Sequence, residues 1–275
     1  MDISVIIVSW KVKDKLKINL ESLMASSGVS FETFVVDNNS DDGTLEMFET
    51  DFPSVITIAN TENLGFAKAC NQAIAKATGK YILLLNPDMK VFPDTLAKSV
   101  NWLDANPQAG IAGIHLVDEK GKTIQQIRRL PHIFDQLLVA TKIGRLFPAL
   151  LNRYMCSTFN YEKAARVESI RGSYFLIRRT VIEKLGGLDE RYFIWFEEVD
   201  YCHQAKQAKI EVWYIPQAQC VDYVGQSFKQ VSTVIKQNYF KQSMMAYFKK
   251  WHSPWQLIVL KFGWILGGVI VKFKK

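Results

Sequence analysis

Residues 81–88 read Tyr-Ile-Leu-Leu-Leu-Asn-Pro-Asp, and no other stretch restricts the possible folds as strongly. Five apolar or aromatic side chains in an unbroken row suit a strand buried on both faces of a parallel sheet, because a strand with one wet face would alternate. Pro87 has no N–H to give to a ladder, so the strand ends there. Asp88 then sits just past the carboxyl end of a central strand, where open α/β sheets bind their ligands. A carboxylate at that place can hold a hard cation and, through it, a diphosphate. The same letters also describe a strand closing in an ordinary Asn-Pro-Asp turn, and the stretch alone does not separate the two.

The surrounding chain supplies the sheet. Ile3–Trp10 is a buried strand, Lys15–Met24 carries Leu16, Leu20, Leu23 and Met24 at helical spacing, and Phe31–Val36 is a second β-rich run. That run stops at Asp37-Asn38-Asn39-Ser40-Asp41-Asp42-Gly43, a turn whose Asp and Ser residues can cap a helix over Thr44–Phe48. A short strand, Val55–Ala59, a loop, Asn60–Phe66, and a helix, Ala67–Ala77, lead to Gly79 and the Tyr81 strand. Residues 1–88 are therefore β-α-β-α-β-α-β, which predicts a parallel sheet and a nucleotide-binding half of Rossmann type. No G-x-G-x-x-G occurs, which argues against a nicotinamide cofactor. Further on, the patterns predict a helix over Thr95–Leu103, a strand over Ile111–Val117 and a hairpin turn at Asp118–Lys122. A strand over Ser173–Ile177, a helix to Leu185, a helix over Glu198–Ala208 and a strand over Glu211–Ile215 follow.

Two segments depart from this alternation. Pro131–Met155 is dense in large apolar residues with Lys142, Arg145 and Arg153 among them. It reads as a core-packing helical insertion or as a surface that meets lipid. After Asp222 there is no acidic residue, while nine lysines and Trp251, Trp255 and Trp264 are spread over the tail. The apolar stretch Trp255–Val271 contains Lys261 and is shorter than the about 20 residues of a spanning helix. A basic, Trp-bearing helix lying in the cytoplasmic interface fits better than a span or an ordinary packed helix. The net charge of +7 suits phosphates or an anionic membrane, and its concentration in an apolar tail argues against nucleic acid. Four widely spaced cysteines form no CxxC and suggest neither zinc nor a redox pair, so a reduced, cytoplasmic setting is expected. The start of the chain is too short and too acidic at Asp2 for a signal peptide.

Five stretches, in order, resemble the inverting family 2 glycosyltransferases, most closely the bacterial rhamnosyltransferases of surface polysaccharide synthesis. They are Val35–Thr44, Glu62–Ala67, Leu85–Asp88, Leu185–Phe193 and Phe196–Asp200. The resemblance covers residues 1 to about 228 and implies a GT-A fold. That fold is α/β, with a Rossmann-like nucleotide-binding half and a mostly parallel central sheet, to which the composition of this chain's tail adds C-terminal amphipathic membrane-associating helices. It divides the chain into a transferase domain, 1–228, with a helical insertion at 131–160 on the acceptor and membrane side, and an attaching tail, 229–275. For the donor, a nucleoside diphosphate sugar, it implies contacts from Val8, Ser9, Trp10, Asp37, Asn63 and Gly65, and from Lys68, Asn86 and Asp88. Asp88 and Asp222 would hold Mg²⁺ or Mn²⁺. Glu197 and Glu198 match the family's Glu-Asp pair, the second member being the general base, and Trp195, Phe196 and Gly172 would face the acceptor.

The implied reaction is transfer of a sugar, foremost L-rhamnose from dTDP-rhamnose, to a lipid-linked glycan at the cytoplasmic membrane face. A UDP-sugar hexosyl or N-acetylhexosaminyl transferase and a catalytically silent scaffold are the alternatives. The sequence departs from the pattern at Ser9-Trp10 in place of Asn-Tyr, at Asn86 for the first metal-motif Asp, at Glu198 for Asp and at Asp222 for His.

Overall fold

The computed structural model describes residues 1–225 and 229–272. Gln226, Ser227, the expected domain boundary at 228, Lys274 and Lys275 lie outside the described residues. The strands are β1 (Ile3–Ser9), β2 (Phe31–Asp37), β3 (Ile56–Ala59), β4 (Tyr81–Leu85), β5 (Met89–Val91), β6 (Ala109–Val117), β7 (Ala165–Val167), β8 (Tyr174–Arg178) and β9 (Glu211–Asp222). They form one sheet in the order β3-β2-β1-β4-β8-β6-β9-β5, with β7 added on β9.

β4 is buried along its whole length, and its pleat divides two cores. Tyr81, Leu83 and Leu85 belong to one apolar cluster, Ile82 and Leu84 to the other, as the period of two requires. Helices α1 (Lys13–Met24), α2 (Thr44–Asp51) and α4 (Thr95–Ala105) contribute Leu16, Met47 and Leu96 to the first cluster. Helices α3 (Phe66–Ile74), α7 (Arg179–Leu185) and α8 (Glu197–Gln207) contribute Cys70, Val181 and Tyr201 to the second.

The sheet is mixed, which corrects the expectation of a mostly parallel one. β1·β2, β1·β4, β2·β3 and β6·β9 pair in parallel. β8 enters between β4 and β6 antiparallel to both, and β5 and β7 pair antiparallel to β9. A doubly buried run such as Tyr-Phe-Leu-Ile carries no mark of direction; the direction comes from the connection that precedes β8. β9 runs on past Pro216 to Asp222, with an irregularity where Ile114 pairs Ile215 and His115 pairs Gln219.

A third apolar cluster lies outside the sheet. It joins α5 (Ile133–Ala140) of the insertion, α9 (Thr233–Trp251) and α10 (Pro254–Lys272) of the tail, and Tyr192 and Phe196. α10 lies close on α5: a Cβ at Gly267 would meet the Ala140 carbonyl oxygen at 2.0 Å. The insertion continues through α6 (Ile143–Leu146) and a 3-10 turn over Pro148–Leu151. Both readings of the insertion find material here. Ile133, Leu138 and Ala140 are buried, while Phe134, Leu146, Phe147 and Leu150 are exposed. Among the described residues no helix is long and apolar enough to cross a membrane.

Candidate active site

The ends of β1 and β4, the loop before α3, and the end of β9 converge on one cleft. Val8, Trp10, Asn63, Gly65, Asn86 and Asp88 line it, with Asp222 and Trp195. Asp88 follows β4, and the pairing Met89↔Asp222 sets Asp222 beside it. Each is 2% exposed. The Tyr223 N–H donates to the Asp88 carbonyl at 3.1 Å, and the Val224 N–H donates to Asp222 Oδ1 at 2.7 Å. Burial pushes the Asp222 carboxyl above the usual range and the Asp88 charge adds to this, while Arg171 opposes it. Arg171 Nη1 stands 3.4 Å from Asp222 Oδ2, an oxygen that is enclosed yet accepts no hydrogen bond.

Two buried carboxylates set side by side fit a hard cation that takes its other ligands from a diphosphate and water. Among the described residues no group of three or more His, Cys, Asp or Glu side chains could hold a metal by itself.

The loop before α3 owes its shape to glycine. Gly65 has φ 82° and ψ 177°, a region essentially closed to other residues. Asn63 Oδ1 accepts the Gly65 N–H at 3.0 Å, and Asn38 Nδ2 donates to both Asn63 Oδ1 and the Gly65 carbonyl at 3.2 Å. The Phe66 N–H donates to the Phe193 carbonyl at 2.7 Å, so two distant motifs meet here. A Cβ on Gly65 would fall 2.5 Å from that carbonyl oxygen. Gly65→Ala is expected to cost about 1–3 kcal/mol, lowering the melting temperature by roughly 2–4 °C per kcal/mol. An unchanged thermal melt would mean that the loop moves freely around the added carbon.

Other expected donor residues sit behind the cleft or outside it. Asp37 is buried and accepts from the Ser40 backbone N–H, at 3.0 Å, and from the Ser40 hydroxyl. That engagement is the turn-capping role, and its neighbour Asn38 is the one that lines the cleft. Ser9 is buried with its hydroxyl unpartnered. Lys68 is exposed on the first turn of α3 and is not among the cleft-lining residues.

The two adjacent glutamates separate. Glu198 lines a second cavity, with Phe196, Tyr154 and Phe240. Trp195 and Arg171 line both this cavity and the cleft of Asp88 and Asp222. Gly172 backs Glu198: a Cβ there would lie 3.4 Å from the Glu198 Cβ. Glu197 is 6% exposed and faces the core, where its charge acts on buried Cys70. Burial raises both glutamate carboxyls above the usual range, Glu197 further because Glu198 adjoins it. Just before them, Trp195 and Phe196 both have positive φ, 63° and 70°. Strained backbone at bulky residues is maintained only where surrounding packing enforces it. Here that packing is α9: Phe240 lies 6.1 Å from the Trp195 ring and 5.5 Å from Phe196, and Tyr239 stacks on Phe193 at 4.6 Å.

Residues 4–186 match the model of glycosyl transferase family 2. The chain belongs to that family. Among curated relatives, this transferase is 25% identical over 228 residues to an N-acetylglucosaminyl-diphospho-decaprenol L-rhamnosyltransferase of Mycobacterium tuberculosis, covering 76% of this chain and 73% of that one. It is 24% identical to a rhamnosyltransferase of Escherichia coli, over 80% and 82% of the two chains. Among solved structures, the mannosyltransferase PcManGT of Pyrobaculum calidifontis, in complex with GDP-Man and Mn²⁺, superposes with a TM-score of 0.60. It is 18% identical and covers 97% of this chain and 73% of that one. Staphylococcus aureus TarS 1-349, in complex with UDP-GlcNAc, gives 0.61 at 15% identity, covering 90% and 65%. The transferase thus has a GT-A-like α/β fold and resembles rhamnosyltransferases.

Arg171, Asn38, Phe193 and Ile194 line the cleft without having been singled out from sequence. Asn38 stands inside the Val35–Thr44 motif beside the more conspicuous Asp37. Arg171 belongs to no motif; it precedes β8 in the chain, and only the folded sheet sets it 3.4 Å from Asp222 at the end of β9 and beside Glu198 in the second cavity.

Proposed function

We propose that this transferase moves a sugar, foremost L-rhamnose from a dTDP-sugar, to a lipid-linked glycan of surface polysaccharide synthesis, with inversion at the anomeric carbon. The observation that carries the reading is the shared wall of Arg171 and Trp195 between the carboxylate cleft and the Glu198 cavity. A donor whose diphosphate lies by Asp88 and Asp222 then faces an acceptor bound beside Glu198. The names of the rhamnosyltransferase relatives support the sugar, and the diphospho-decaprenol in one of them supports the lipid-linked acceptor.

In this reading Trp10, Asn63 and Gly65 border the nucleoside, and the first turn of α3 offers backbone N–H groups. Glu198 accepts the proton of the acceptor hydroxyl as that oxygen bonds the anomeric carbon and the bond to the diphosphate breaks on the opposite face. Its raised affinity for protons suits that role. Arg171 lies where negative charge builds on the leaving diphosphate. Asp88 and Asp222 would hold Mg²⁺ or Mn²⁺, which neutralises that charge when bound.

Residues 1–228 act as the transferase domain and 229–275 attach it to the cytoplasmic membrane face. Exposed Trp255, Ile258, Phe262 and Ile265 of α10, with exposed Phe147 and Leu150 of the insertion, supply an apolar surface for the interface beside the tail's lysines.

Calorimetry with a panel of dTDP-, UDP- and GDP-sugars, with Mg²⁺ or Mn²⁺ and then EDTA, tests the donor half. One dTDP-sugar should bind best. Asp88→Ala should remove metal-dependent binding and transfer while the thermal melt stays intact. Binding and transfer that persist undiminished in EDTA would overturn the cation's part, and the absence of any nucleotide-sugar binding would overturn the transferase reading itself.

A further inference from the structure

A third cavity, of about 450 Å³, opens between the insertion and the tail helices, within the roughly 300–1,000 Å³ usual for small-ligand sites. Its walls are apolar: Leu138, Val139, Leu151, Met155 and Phe240. Its charged lining consists of Lys142, Arg145 and Lys236, with no carboxylate. The polar remainder includes Thr233 and Gln237. Trp264, which also lines it, has an indole N–H that is enclosed and without a partner. Three cations beside an apolar wall, with no carboxylate in the lining to answer them, draw an anion to the hollow. The hollow therefore suits a ligand that is an anion at one end and a hydrocarbon at the other.

Position narrows the ligand further. Trp195 lines this cavity, the Glu198 cavity and the carboxylate cleft, and Phe240 is shared with the Glu198 cavity. The exposed apolar residues Leu146 and Leu150 of the insertion adjoin the lining residues Arg145 and Leu151 along the chain. An occupant thus has hydrocarbon surface on one side and the proposed base on the other. We infer that this cavity binds the polyisoprenyl diphosphate of the acceptor, its diphosphate held by Lys142, Arg145 and Lys236 and its first isoprene units by the Leu138–Phe240 wall. The inference rests on the transferase reading and adds the site where the lipid end of the acceptor is recognised. A charged phosphate on an apolar chain is matched by cations on an apolar wall, and the glycan beyond the diphosphate extends past Trp195 toward Glu198. Lys142 has φ 63°, so its backbone conformation is one that a side chain seldom adopts. Neutral replacement should therefore be judged by ligand binding together with the melt.

The test uses the full chain and farnesyl diphosphate as the probe, with farnesol and inorganic pyrophosphate as its two halves. Farnesyl diphosphate should bind more tightly than either half. The double variant Lys142→Ala/Lys236→Ala should weaken it by roughly tenfold or more, while Lys236→Arg keeps the affinity. The nucleotide-sugar dissociation constant, measured on the same preparations, should not move, and the KM for a lipid diphosphate acceptor should rise with kcat little changed. Equal binding by the double variant overturns the proposal, as does competition between farnesyl diphosphate and the nucleotide sugar. Loss of binding to phosphatidylglycerol vesicles with farnesyl diphosphate affinity intact would assign the cations to bilayer lipid and also overturn it. Failure of the transferase reading is seen separately, as absent nucleotide-sugar binding in the unaltered chain.

Discussion

Glu198→Gln is expected to lower turnover by about 10²–10⁴-fold with donor affinity unchanged. The side chain keeps its size and its place in the second cavity, lined also by Phe196 and Tyr154, but no longer accepts a proton. The charged residues of the donor cleft are Asp88, Asp222 and Arg171, and Glu198 is not among its lining, so calorimetry with the nucleotide sugar should give the wild-type value. Glu197→Gln should retain much more activity, because Glu197 faces the core near Cys70. The pH profile supplies a second readout. Burial raises the Glu198 carboxyl above the usual carboxylate value, so the base is increasingly protonated, and kcat/KM falls, as pH drops through that raised value. The acid limb should therefore lie above the ordinary carboxylate pKa and vanish in the residual activity of Glu198→Gln. Single-turnover transfer by both variants decides the assignment. Wild-type rates for Glu198→Gln with a dead Glu197→Gln would reverse the pair, and normal rates for both would remove the base from this motif.

Asp200→Ala is expected to be the most damaging single change to stability, at about 3–5 kcal/mol and thus a drop of roughly 6–20 °C in melting temperature. Asp200 is fully buried at the junction of α8 and α9. It accepts from Lys250 Nζ at 2.7 Å, Trp251 Nε1 at 2.6 Å, Gln204 Nε2 at 2.7 Å and the Tyr192 hydroxyl at 3.1 Å. Removing the carboxylate leaves those four donors short of an acceptor at once. Lys250 keeps Asp189, 2.8 Å away, whose carboxyl Arg191 and Lys250 hold well below the usual range. Truncation at residue 250 would remove the Trp251 indole from the same site. Because α9 also packs on Trp195 and Phe196, turnover should fall at temperatures where the melt begins, with the donor cleft affected less. An unchanged melt would show that α9 is held by its apolar contacts alone.

An element that shows its own local pattern between turn signals was legible as sequence. The Tyr81 strand, the alternation of strands and helices to Asp88, and the helix starting at the Glu197-Glu198 pair follow from local pattern, which depends on periodicity and backbone chemistry within a few residues. The three-residue strands β5 and β7 are too short to show a period. Helix α9 has apolar residues dispersed around it, buried only at Ser243, Met244, Tyr247 and Phe248, and its sequence marks no single face. β9 passes a proline that reads as a stop, yet the strand resumes.

What the sequence by itself determined is the α/β class, the doubly buried central strand and the residue types at the strand ends, since these are set by neighbours along the chain. Only the tertiary structure decided that β8 runs antiparallel, that β9 reaches far enough for Asp222 to stand beside Asp88, and that Arg171 falls between Asp222 and Glu198. It also decided that the tail packs over Trp195 and Phe196 instead of trailing behind the domain. Each of these depends on a pairing or packing partner many residues away, and such contacts are chosen by burial and register across the whole fold, which no local pattern records.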